Sequence, residues 1–193
     1  SQQLVAAIPA GNPKALFRYV RFDLMPRSSP QWWIKGILER DSLSLIFGQP
    51  TSGKSFMAMS WACCMATGAP WFGRKVAQAP VLYIAGEGHS GLKRRITAWS
   101  QDRGAPMDGV PLFFSTVRAH FLDPEFMAQV LDAGRPENIE GHVPGLIVVD
   151  TLAANFGPGD ENEATSMSAF IDAAHGLRVT YPGSTVLIVH HSG

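Results

Sequence analysis

The segment Leu43-Ser44-Leu45-Ile46-Phe47-Gly48-Gln49-Pro50-Thr51-Ser52-Gly53-Lys54-Ser55 decides the fold of this chain. Its first five residues form a short apolar run of the kind a buried strand shows, closed by glycine. The next eight, Gly48 to Ser55, match the pattern G-x-x-x-x-G-K-[ST] at every fixed position. Gly48 and Gly53 permit a tight turn in which successive backbone N–H groups point inward, with Gln49, Pro50, Thr51 and Ser52 completing the loop between them. From Lys54 to Thr67 the chain is rich in Met, Ala and Trp, and a helix starting there adds its positive dipole end at the same place. Lys54 is then a point charge for outer phosphates, and the Ser55 hydroxyl a hard oxygen ligand for Mg2+. Strand, glycine-rich turn and helix in this order predict a nucleoside-triphosphate site, against the blander reading of an ordinary strand–helix turn.

The same punctuation recurs along the chain. Val81 to Ala85, Leu112 to Phe114, Leu146 to Val149 and Val186 to Val189 are further short apolar runs bounded by Gly, Pro, Ser or Asp. Between them Leu92, Ile96 and Trp99 fall at helical spacing, and Phe126, Val130 and Leu131 suggest another helix. Met167, Phe170, Ile171, Ala174 and Leu177 mark an amphipathic helix over residues 164–178. Strands alternating with helices predict an α/β domain with a mostly parallel sheet covered on both faces. Residues 1–35 read as an irregular N-terminal extension punctuated by Pro9, Pro13, Pro26 and Pro30, and residues 36–193 as the core. The apolar cluster Trp32, Trp33, Ile34, Ile37 and Leu38 is expected to pack on the segments after it, and Phe56, Met57, Met59, Trp61 and Met65 to be core residues of the first helix.

Such sheets bind ligands at the carboxyl ends of their strands, so function is sought where each run stops. Leu146 to Val149 ends in Asp150-Thr151, a carboxylate placed to hold a water on the Mg2+ that Ser55 touches; alone, it could equally be a helix cap. Val81 to Ala85 ends in Gly86-Glu87-Gly88-His89, where flanking glycines let Glu87 aim at an attacking water, a role typically contributing about 10²–10⁴-fold. The bland alternative for Glu87 is a solvated loop acid. Val186 to Val189 ends in His190-His191, and alternation along a strand lets only one imidazole face the phosphate loop; the other reading is a packed or capping histidine.

Composition bounds the rest. With 193 residues, 46% apolar and 17% charged, the chain suits one core-forming α/β domain. Sixteen basic residues balance sixteen acidic ones, so no bulk positive field announces nucleic acid. Cys63 and Cys64 are adjacent and cannot staple distant segments; they read as buried small hydrophobes. No apolar stretch approaches the roughly 20 residues that span a bilayer, and no basic-then-apolar leader opens the chain, so no membrane partner and a cytoplasmic setting are expected.

Together these strand ends resemble the RecA-type core of ring-forming P-loop ATPases, and within it the plasmid RepA-type replicative helicases and related phage and plasmid ATPases. The residues that carry the likeness are Gly48 to Ser55, Tyr83-Ile84-Ala85-Gly86-Glu87-Gly88-His89-Ser90-Gly91 with Arg94 and Arg95 behind it, Val148 to Ala153, Asn155 to Asn162, and Val189 to Gly193. The glutamate on the second strand, rather than beside the metal aspartate, is the discriminating feature. The resemblance implies that Lys54 binds the β- and γ-phosphates of ATP, that Ser55 and Asp150 serve Mg2+, that Glu87 is the base, and that the sensor falls on His191. It also implies a sheet with the sensor strand between the phosphate-loop and Asp150 strands, and the Glu87 strand beyond Asp150. Arg95 fits stacking on the adenine or reaching a neighbour, against a solvated helix face. A homo-oligomeric ring, a hexamer, acting on single-stranded DNA is implied as well, and such cores continue where this sequence ends. One departure stands out: residues 153–163 carry Asp160, Glu161 and Glu163 and no Lys or Arg, a poor DNA-backbone binder. Alternatives are a filament-forming recombinase or recombination mediator, and a nucleotide-switch ATPase without nucleic-acid contact; a small-molecule kinase fits less well.

Overall fold

The computed structural model describes residues 19–25, 29–86 and 89–191. In chain order the regular elements are β1 (Trp32–Ile34), β2 (Leu38–Glu39), β3 (Leu43–Gly48), α1 (Lys54–Thr67), β4 (Val81–Ala85), α2 (His89–Arg103), β5 (Leu112–Phe114), α3 (Pro124–Ala133), β6 (Leu146–Asp150), α4 (Leu152–Asn155), α5 (Ala164–Thr180) and β7 (Thr185–His191). Five strands form one sheet in the order β3-β7-β6-β4-β5. Every neighbouring pair in it is parallel. The chain is thus an α/β fold with a parallel sheet, and β7 lies between β3 and β6 with β4 on the far side of β6, the order that the resemblance implied.

Helices cover both faces, which explains why the central strands read as unbroken apolar runs instead of alternating ones. On one face Ile46, Val81, Tyr83, Leu146, Val148, Leu187 and Val189 pack with α1, with Leu92 of α2, and with Trp33, Ile34 and Leu38. On the other, Ile84, Ile147, Val149, Val186 and Ile188 meet Met127 of α3 and Phe170, Ala174 and Leu177 of α5. Leu146, Ile147, Val148 and Val149 are all fully buried, each contributing on the order of 1.5–3 kcal/mol of transfer free energy. Helix α1 is apolar almost all round, and Ala58, Met59, Trp61, Ala62, Cys63, Cys64, Met65 and Ala66 are buried. It ends at Gly68, whose left-handed φ of 78° lets its N–H bond the Cys64 carbonyl at 2.8 Å. Helix α3 is started by Asp123, whose Oδ1 accepts from the Glu125 and Phe126 N–H groups at 3.0 and 3.1 Å, with Pro124 in the first turn.

Three sequence expectations change. Residues 32–39 are not irregular: β1 and β2 form an antiparallel hairpin whose Trp33, Ile34 and Leu38 are buried. The hairpin straddles the division drawn at residue 36 and is tied to the following segment by Ala77 N–H on the Trp33 carbonyl at 2.8 Å. Phe56 is not core; it is 62% exposed, on the side of α1's first turn away from the buried Lys54, with the Arg95 guanidinium over its ring. Ile171 also stands partly out of the α5 interface, while Phe170, Ala174 and Leu177 of the same stripe are buried. Among the described residues no helix is long and apolar enough to cross a membrane.

Candidate active site

Parallel pairing with β3 at one side brings the carboxyl ends of β3, β7, β6 and β4 to one edge of the sheet. In the pairing register Gly48 lies opposite His191, Val189 opposite Asp150, and Asp150 opposite Ala85. The loop Gly48 to Ser55 rises from that edge. Gly53 adopts φ 87°, open to glycine and costly for other residues, and Thr51 takes φ 64°, an uncommon conformation for a β-branched side chain. The residue before α1 is Gly53, which has no side chain to cap the orphan N–H groups of the helix's first turn. The Lys54 side chain is buried, and its Nζ donates to the Gly48 and Gln49 carbonyls at 2.7 Å each and to Ser52 Oγ at 3.5 Å. The ammonium is therefore held inside the loop, where an incoming phosphate oxygen competes with the loop's own carbonyls.

Ser55 and Asp150 are 95 residues apart in sequence and meet directly: Ser55 Oγ donates to Asp150 Oδ1 at 2.8 Å. The other carboxylate oxygen, Oδ2, accepts from Tyr83 Oη at 2.6 Å. Tyr83 is 1% exposed, and burial, reinforced by the Asp150 carboxylate beside it, pushes its phenol well above the usual range. The Asp150–Thr151 peptide bond is cis. Thr151 then caps α4, accepting from the Ala154 N–H at 3.3 Å.

Glu87 and Gly88 lie outside the described residues. The strand that delivers them is described: Gly86 N–H donates to the Asp150 carbonyl at 2.6 Å, so β4 and β6 remain paired up to the residue before Glu87. A Cβ on Gly86 would stand 2.4 Å from Ala154 Cβ and 2.8 Å from Asn155 Nδ2, so only glycine allows this approach. Along β7, Leu187 and Val189 share the α1 face, and alternation puts His191 there too, with His190 on the α5 side. The Nδ1 atoms of both histidines are buried without a hydrogen-bond partner among the described residues. Arg95 is half-buried, with its guanidinium 5.2 Å from the centroid of the exposed Phe56 ring, whereas Lys93 and Arg94 are exposed.

A family profile described as an AAA domain matches residues 13–193. The chain belongs to the AAA domain family. No curated protein matches it. An AAA domain is a P-loop ATPase domain, which accounts for the loop Gly48 to Ser55, the parallel sheet behind it and nucleotide binding at its edge. Within this AAA domain, reading the sequence missed two polar side chains that shape the site. Tyr83 stands in an otherwise aliphatic strand, and that single phenol in Val81-Leu82-Tyr83-Ile84-Ala85 is the signal that could have found it. Asn155 is fully buried, its Oδ1 accepting from Ala119 N–H and its Nδ2 donating to the Thr151 carbonyl, both at 2.8 Å, so it pins the turn after Asp150. Nothing in the local pattern distinguishes it from a loop asparagine.

Proposed function

We propose that this AAA domain is the ATP-hydrolysing core of a RepA-type replicative DNA helicase, working as a ring of copies on single-stranded DNA. The observation that carries the catalytic part is the Ser55–Asp150 hydrogen bond of 2.8 Å at the mouth of the phosphate loop. It pairs a hydroxyl and a carboxylate, both hard oxygen donors. Among the described residues no group of three or more His, Cys, Asp or Glu could cage a metal. The donor set fits a cation shared between protein, phosphate and water, which is how Mg2+ is usually bound.

In this reading Lys54 exchanges loop carbonyls for the β- and γ-phosphates, and the uncapped first turn of α1 receives phosphate oxygens on its N–H groups. Ser55 and Asp150 hold Mg2+, directly and through water, and the bound ion supplies charge neutralisation at the phosphates. Glu87 orients and deprotonates the attacking water. His191, on the same face of the sheet as α1, serves as the sensor of the terminal phosphate, and Arg95, beside Phe56 of α1, serves the adenine or a neighbouring copy. Catalysis of this kind is mostly positioning and electrostatics, and an arginine from a neighbouring subunit commonly completes it. The chain is thus expected to bind MgATP but turn it over slowly when dilute.

One observation favours a second reading, a nucleotide-switch ATPase: Asp160 and Glu163 are exposed in the segment 153–163, which runs from within α4 to the start of α5 and carries no Lys or Arg. Measuring ATP hydrolysis at low salt, with and without single-stranded DNA, across a range of protein concentrations separates them. The helicase reading predicts stimulation by DNA and a specific rate that climbs with concentration. No binding of DNA and no stimulation, at the ionic strength where electrostatic binding is strongest, support the switch instead.

A further inference from the structure

We propose that Tyr83 is a positioning residue of the Mg2+ site: its phenol fixes the second oxygen of the Asp150 carboxylate, so that Asp150 presents a single orientation to the cation beside Ser55. The inference rests on the reading of Ser55 and Asp150 as the Mg2+ pair. Among the described residues the Asp150 side chain has two hydrogen-bond partners, Ser55 Oγ on Oδ1 and Tyr83 Oη on Oδ2. A carboxylate held at one oxygen alone can rotate about its Cβ–Cγ bond; held at both by donors on different elements, it cannot. The two donors come from α1 and β4, so Asp150 is clamped between the phosphate loop's helix and the strand that leads to Glu87.

Tyr83 is built to act as a fixed donor. It sits on the same face of the sheet as Asp150, two residues before Ala85, the register partner of Asp150 on the adjacent strand. The phenol crosses that diagonal, with the ring lying 5.2 Å from Phe114 at a 36° tilt. With 1% exposure it has no water to bond instead. A phenylalanine would fill the same volume, so packing alone gives no reason for the hydroxyl. The remaining lone pairs of the clamped carboxylate are what a metal-bound water needs. Outer partners of this kind orient metal ligands and typically affect metal affinity or activity by about 10–100-fold.

The test compares the wild-type chain with Tyr83→Phe and Asp150→Asn, using a fluorescent non-hydrolysable ATP analogue titrated first in EDTA and then with Mg2+. The proposal predicts that Tyr83→Phe binds the analogue in EDTA within about twofold of wild type, while its half-saturating Mg2+ rises roughly tenfold. A purely packing role for Tyr83 would leave the Mg2+ requirement unmoved. If Asp150→Asn raises the Mg2+ requirement and Tyr83→Phe does not, the inference about Tyr83 is overturned while the metal pair stands. If neither variant raises it, the metal reading itself fails.

Discussion

Replacing Gly86 by alanine tests whether the end of β4 is locked against the turn after Asp150. The new Cβ would lie 2.4 Å from Ala154 Cβ, 2.8 Å from Asn155 Nδ2 and 3.2 Å from the Asp150 carbonyl. Carbon pairs prefer roughly 3.5–4.0 Å, so the first contact is short by more than about 1 Å. Neither neighbour can retreat cheaply. Asn155 is fully buried and bonded at both ends of its amide, and Ala154 belongs to a four-residue helix capped by Thr151. Overpacking of this kind costs about 1–3 kcal/mol, and the rigid surroundings place Gly86→Ala at the upper end. For a chain of this size, roughly 3 kcal/mol lowers Tm by about 6–12 °C. Urea unfolding followed by far-ultraviolet circular dichroism measures it, and a double-mutant cycle with Ala154→Gly identifies the cause. Ala154→Gly alone costs on the order of 1 kcal/mol from helix propensity, yet in the Gly86→Ala background it removes the closest overlap, giving a favourable coupling of about 1 kcal/mol or more. A Gly86→Ala variant within about 0.5 kcal/mol of wild type, or a cycle with no coupling, would refute the reasoning.

Other consequences can be checked alongside. Glu87→Gln is expected to leave ATP binding within a few-fold of wild type and abolish turnover, measured by nucleotide titration and phosphate release; full hydrolysis would remove Glu87 from the role of base. Asn155→Leu strands the Ala119 N–H, while the Thr151 carbonyl keeps its bond from the backbone N–H of residue 155, so in urea unfolding it should cost about 1–3 kcal/mol, the range for one buried unsatisfied group. Burial pushes the Cys63 thiol from the ordinary 9.0 up to about 12. Between those values the unfolded chain has lost the proton that the folded one keeps, so this group's contribution to stability is intact below pH 9 and declines as pH rises toward 12. Cys63→Ala should flatten that alkaline fall in a pH series of melting curves.

The centre of the sheet was legible because β4, β6 and β7 are largely buried on both faces and appear in sequence as bounded apolar runs. The edge strand β3 is not buried in that way, with Leu45 and Phe47 exposed, and it was located by the glycine-rich loop that follows it. Val81 to Ala85 and Leu112 to Phe114 appear in the structure with the bounds read from sequence, and Leu146 to Asp150 with one residue more. The helix after the phosphate loop, Lys54 to Thr67, was equally clear, since no proline interrupts its run of good formers and Gly68 stops it. The hairpin β1–β2 was hidden: its strands are three and two residues long, too short for any alternation to show, and it is secured mainly by Trp33, Ile34 and Leu38 sinking into the core. Phe56 misled because an aromatic on an apolar helix reads as core, whereas it is exposed while its neighbours Lys54, Ala58 and Met59 are buried. For the site, the motif located Lys54 and Ser55, and the strand end located Asp150. What joins Asp150 to Tyr83 is a diagonal between neighbouring strands, a relation that exists only once β4 and β6 are known to pair.

The most direct test of the account is a crystal structure of the chain with Mg2+ and a non-hydrolysable ATP analogue. The account predicts the β- and γ-phosphates within the loop Gly48 to Ser55, Lys54 Nζ moved from the Gly48 and Gln49 carbonyls onto phosphate oxygens, and the cation on Ser55 Oγ with Asp150 beside it. A triphosphate bound elsewhere, or bound in the loop with Asp150 remote from the cation, would contradict it.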